Sequence, residues 1–97
     1  MARFEFAGAA RADIARITEF TSERWGREQA LAYLDTLYGR LAELAERPGL
    51  GRRRDELAEG LLSFPFESHV IFYQVMGSGI VVVRILHARQ EARRQLR

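Results

Sequence analysis

"SFPFESHVIFYQV", from Ser63 to Val75, decides how this chain is read. Leu62, Phe64 and Phe66 alternate with Ser63, Pro65 and Glu67, and a period of two marks a half-buried strand. Pro65 has no amide to donate, so this strand belongs at a sheet edge. Glu67 and Ser68 interrupt the apolar run. His69 then opens "HVIFYQV", which is apolar on both faces, as a central strand is. "MGSG" at 76–79 is the next turn, and "GIVVVRILH" at 79–87 is β-branched and nearly all apolar, a second central strand. Three successive strands with short turns make an antiparallel meander.

Upstream the period changes. "ARFEF" places Phe4 and Phe6 on one face and reads as a short strand. Ala10, Ile14, Ile17 and Phe20 then fall on one face of a helix, with Gly8 as a weak N-cap and Gly26 as its stop. "REQALAYLDTLYGRLAELAER" at 27–47 is the clearest helix, with a stripe of Leu31, Leu34, Leu37, Tyr38, Leu41, Leu44 and Ala45. Gly39 weakens it and Pro48–Gly49 ends it. The joint between the helices is so short that they must form an antiparallel hairpin, with Trp25 and Tyr33 as hairpin packing. The hairpin has to cover one face of the sheet to bury its stripe.

The predicted fold is therefore α+β: an N-terminal strand, a helical hairpin and a three-stranded meander, one domain over residues 1–97. The first strand joins beside the last, because the edge beyond Pro65 is poor for pairing. "GLGRRRDELAEG" at 49–60 reads as a polar loop. "ARQEARRQLR" at 88–97 has helical propensity but only about ten residues, too few to stand alone in water.

With 97 residues and 47% hydrophobic side chains, the chain has material for one core. It has no cysteine, which excludes disulfides, thiolate metal sites and a thiol nucleophile. No apolar run is long enough to span a membrane and the N-terminus lacks the apolar core of a signal peptide, so a cytoplasmic protein is expected. All 15 basic residues are arginine, leaving no lysine for Schiff-base or general-base work. From Arg84 onward there are five arginines and one acid, Glu91. That tail, with Arg89, Arg93, Arg94 and Arg97, favours an acidic partner.

Few residues suggest chemistry. His69 and His87 are the only histidines, and no cluster has metal-ligand spacing, so neither metal nor cofactor is expected. Ser63 lies outside any nucleophile elbow, and "MGSG" between two strands is a turn rather than a phosphate loop. Arg84 interrupts an apolar strand on the face of Ile80, Val82 and Leu86. A charge there must be paired, with Glu5 or Glu67 as the nearest choices, or must look out of an uncovered sheet face at an anion.

"ERWG" at 23–26, "ERPGLGRRRDEL" at 46–57, "SFPFESHVIFYQV" and "RILHARQ" at 84–90 occur in an order that resembles the ParE toxins of the RelE/ParE superfamily, over nearly the whole chain. The chain departs at Ala7-Gly8, where relatives often carry Ser-Pro, which bears on the helix cap. The resemblance implies the toxin half of a type II toxin–antitoxin system. Such a toxin inhibits DNA gyrase without being an enzyme, and a ParD-like antitoxin neutralises it in a hetero-oligomeric complex that meets DNA only through the antitoxin. It makes Leu34, Leu37, Tyr38 and Leu41 candidates for the antitoxin groove, and Arg84, His87, Arg89, Arg93 and Arg94 candidates for the target-facing end. RelE-like cousins instead cut messenger RNA on the ribosome, with lysines and a C-terminal tyrosine that this chain lacks. Arg84 and His87 could serve as phosphate clamp and acid, but they fall on opposite faces of a regular strand.

Overall fold

The computed structural model describes residues 2–90 and 92–96. The chain passes through β1 (Phe4–Phe6), α1 (Gly8–Trp25), α2 (Arg27–Glu46), a 3-10 turn (Pro48–Leu50) and β2 (Arg52–Arg53). It continues through β3 (Leu62–Phe66), β4 (His69–Met76), β5 (Gly79–His87) and α3 (Ala92–Gln95). The sheet order is β1-β5-β4-β3-β2, with β1 parallel to β5 and the other pairs antiparallel. The architecture is the expected α+β arrangement, and the first strand does lie beside the last.

Gly26 serves both helices. At φ 94° it ends α1, donating its N–H to the Ser22 carbonyl, and its own carbonyl accepts the Ala30 N–H of α2. Only glycine takes that backbone conformation at little cost. At the other end of α1 the N-cap is Ala7, one residue earlier than the expected Gly8; the Ala7 N–H is already held by the Val82 carbonyl as the parallel pairing runs out.

The main core lies between the hairpin and the sheet. Leu37, Leu41, Leu44 and Ala45 of α2 pack on Ile71, Tyr73, Ile80, Val82 and Ile85. A smaller cluster of Leu61, Phe72 and Leu86 fills the other sheet face, closed by Leu57 and Ala58 of the 54–60 loop and by Ala92 and Leu96 of the tail. The face expected to be bare is thus partly covered, and the short C-terminal helix is docked there.

Three local features depart from the sequence reading. The polar loop contains a strand, because Arg52 and Arg53 pair with Ser63 and Leu62. This pairing stops short of Pro65, which sits on the open part of β3, as its missing amide requires. The register of β5 slips once: Tyr73 pairs with Val82 but Phe72 with Arg84, so Val83 is a bulge residue. Ile80 and Val82 therefore face the hairpin, whereas Arg84 stands opposite Phe72 and Leu86 joins the second cluster. The shared face expected for Arg84, Ile80, Val82 and Leu86 does not exist.

Candidate functional site

A concavity of about 770 Å³ opens where the helical turn overhangs the β4 and β5 ends that carry the two histidines. Register brings His69 opposite His87, with ring centroids 5.5 Å apart and nearly perpendicular. Tyr33 of α2 bonds its hydroxyl to His69 Nδ1 at 2.9 Å and packs edge-on against Phe66. Burial lowers the His69 pKa, helped by His87 and partly opposed by Asp13. Burial, reinforced by Glu67, pushes Tyr33 up to about 12, so its phenol stays protonated. His87 Nδ1 accepts the Arg89 N–H at 3.1 Å, which places the proton of neutral His87 on Nε2.

The mouth of the cleft is apolar. Phe20 is 59% exposed and Trp25 68%, although the helical period put Phe20 in the core and hairpin packing was expected for Trp25. Arg24 lies over the Phe20 ring. Apolar side chains this exposed around one concavity mark a recognition surface.

One wall is Asp13, whose residue is only 2% exposed. Its carboxylate accepts Arg84 Nε at 2.7 Å and Arg84 Nη2 at 2.8 Å, takes the Ile85 N–H at 2.9 Å, and pairs with Arg16. Arg84 finds neither Glu5 nor Glu67, and it does not look out at solvent; its side chain is 15% exposed. The hydrogen-bonded carboxylate raises the Arg84 pKa further. Sequence reasoning missed Asp13, yet a signal was present. Asp13 shares the buried helical face of Ala10, Ile14 and Ile17, a charge in an apolar stripe, just as Arg84 is a charge in an apolar strand.

The proposed groups separate in space. Leu34 and Tyr38, half-buried and 44% exposed, line a shallow groove of about 500 Å³ along α2 with Leu31 and Asp35. Leu37 and Leu41 are core residues at 1% and 0% exposure. His87 faces the cleft, whereas Arg93 and Arg94 are exposed on α3 beyond the other sheet face. Arg89 is exposed on the turn between them, and Arg97 lies outside the described residues. Among the described residues no group of three or more His, Cys, Asp or Glu side chains could hold a metal.

Comparison with known proteins identifies this architecture. Residues 4–92 match the family model described as the ParE toxin of type II toxin-antitoxin system, parDE. The chain belongs to the ParE toxin family. It is similar to Toxin ParE1 of Mycobacterium tuberculosis, 38% identical over 97% of each chain. It is also similar to Toxin ParE1 of Caulobacter vibrioides, 34% identical over 99% of each. A solved structure titled "Chromosomal ParDE TA system from P. aeruginosa" shares the fold, with a TM-score of 0.74 and 21% identity over 90% of this chain and 96% of that one. The blocks that carried the resemblance thus lie in a ParE toxin, and the Ala7-Gly8 departure leaves the start of α1 in place.

Proposed function

We propose that this toxin inhibits DNA gyrase by trapping its cleavage complex, and that a ParD-like antitoxin neutralises it in a hetero-oligomeric complex. The observation that carries the reading is the family match along almost the whole chain, joined to a shared fold with a solved chromosomal ParDE system. Surface chemistry supports an antitoxin partner. Leu31, Leu34 and Tyr38 along α2, and Phe20 and Trp25 at the cleft, expose apolar area that a partner segment would cover. Leu37 and Leu41, buried in the core, hold α2 on the sheet and are closed to a partner. The exposed arginines of the tail suit an anionic surface such as a protein–DNA cleavage complex, and DNA itself is met through the antitoxin. The mode is stoichiometric binding rather than catalysis, in the cytoplasm where gyrase works; no helix among the described residues is long and apolar enough to cross a membrane.

One observation favours the cousins' chemistry. Tyr33, His69 and His87 place proton-transfer groups within one cleft, which a messenger RNA endoribonuclease would need. Against it, Arg84, the residue that could serve as phosphate clamp, is held by Asp13. Gyrase-dependent breakage of plasmid DNA by the antitoxin-free protein tests the primary reading.

A further inference from the structure

Arg84 uses all three of its nitrogens inside the protein. Nε and Nη2 grip the Asp13 carboxylate, and Nη1 donates to the Gln95 carbonyl at 2.7 Å. Gln95 is the last residue of α3, a helix of four residues that cannot persist by itself. At its start the Ala88 N–H donates to the Ser68 carbonyl and the Arg89 N–H to His87 Nδ1. Ala92 and Leu96 add apolar contact with Leu61, Phe72 and Leu86. Asp13 is itself fixed by α1, the Ile85 N–H and Arg16. The pair therefore connects α1 to the far end of the C-terminal segment by way of β5.

We infer that Asp13 and Arg84 are positioning residues that hold the C-terminal segment docked, so that Arg93 and Arg94 act from a fixed surface, and that Arg84 is not itself a target contact. This rests on the gyrase reading, because it says how the tail presents itself to that target. A guanidinium bound in a fork by a buried carboxylate is poorly placed to leave it for a target anion. A tail of this length gains from being ordered in advance, since a frayed segment loses affinity to ordering on binding.

Two conservative variants separate positioning from contact, because both keep a cation at position 84. Asp13→Asn retains an oxygen for the Ile85 N–H but not the charge that grips the guanidinium. Arg84→Lys keeps the charge but not the planar fork that spans Asp13 and Gln95. Hydrogen exchange at the Leu96 amide, bonded to the Ala92 carbonyl, reports tail docking. Plasmid linearisation by gyrase reports poisoning, with growth arrest in cells lacking the antitoxin measured alongside. The expected result is exchange at Leu96 faster by roughly tenfold or more in both variants, with linear DNA and growth arrest reduced in parallel and the circular dichroism spectrum unchanged.

Full poisoning by a variant whose Leu96 exchange has accelerated would overturn the inference, and so would unchanged exchange in both variants. Wild-type protein that arrests growth without linearising DNA would sink the gyrase reading alone. The same variants would then be scored by growth arrest, with the same two overturning results.

Discussion

Asp13 of α1 accepts the backbone N–H of Ile85 at 2.9 Å, on a stretch of β5 that has run past the residues paired with β1. A side-chain carboxylate supplies there what a neighbouring strand supplies elsewhere. Removing it leaves a buried donor and the Arg84 guanidinium without their acceptor. Asp13→Ala is therefore expected to cost about 3–5 kcal/mol, the range for breaking one side of a buried ion pair. Urea denaturation of the purified toxin measures it, and a loss below about 1 kcal/mol would show that water replaces the lost acceptor.

Tyr38 and Leu37 are adjacent in sequence and opposite in role. Tyr38 is 44% exposed, with its ring 5.9 Å from those of Phe4 and Phe6, whereas Leu37 is in the core. Tyr38→Glu is expected to weaken antitoxin binding by about tenfold or more with little loss of fold. Leu37→Glu is expected to unfold the protein, since a buried unpaired carboxylate cannot be accommodated. Circular dichroism with a pull-down on the cognate antitoxin distinguishes them.

His69 gives a pH dependence whose sign follows from its depressed pKa. The unfolded chain binds its proton near the ordinary value of 6.5, while the folded chain resists it to lower pH. Stability is therefore full above that value and falls as pH drops below it, until the folded group also protonates. Thermal melts at pH 7.5 and 5.5 should show a smaller drop for His69→Gln than for wild type. An equal drop in both would assign the loss to carboxylates alone.

Gly79 begins β5 where β1 passes closest. A Cβ there would sit 1.7 Å from the Arg3 carbonyl oxygen, which accepts the Ile80 N–H. Gly79→Ala must push the two strands apart and is expected to cost about 2–3 kcal/mol, read by denaturant midpoint. Gly39, with open space around it, should gain slightly from the same change through helix propensity.

Much of the fold was legible because its signals are local and periodic. The α2 stripe, the alternation at Leu62–Phe66 and the apolar runs of β4 and β5 each stand in a short window. What escaped depends on contacts between distant residues. The bulge at Val83 leaves the composition of β5 unchanged but reverses the face of Arg84 and Leu86, so a strict period of two misplaced them. Arg52 and Arg53 look like loop residues, and they become a strand only because β3 offers them an edge. Phe20 follows the α1 stripe correctly, but α1 overhangs the sheet at that point, so the stripe ends in an open cleft. The site was harder still. Asp13 and Arg84 are 71 residues apart, and each carried its own warning as a charge in an apolar pattern. Reading the two as partners would have located the ion pair.

The most direct measurement uses toxin freed from its antitoxin, DNA gyrase, ATP and supercoiled plasmid, stopped with detergent and protease. Linear plasmid that accumulates with toxin concentration, and vanishes when antitoxin is restored, is the predicted result. Normal supercoiling with no linear DNA at any dose would contradict it. The search would then move to ribosome-dependent cuts in messenger RNA, beginning with variants of His69 and His87.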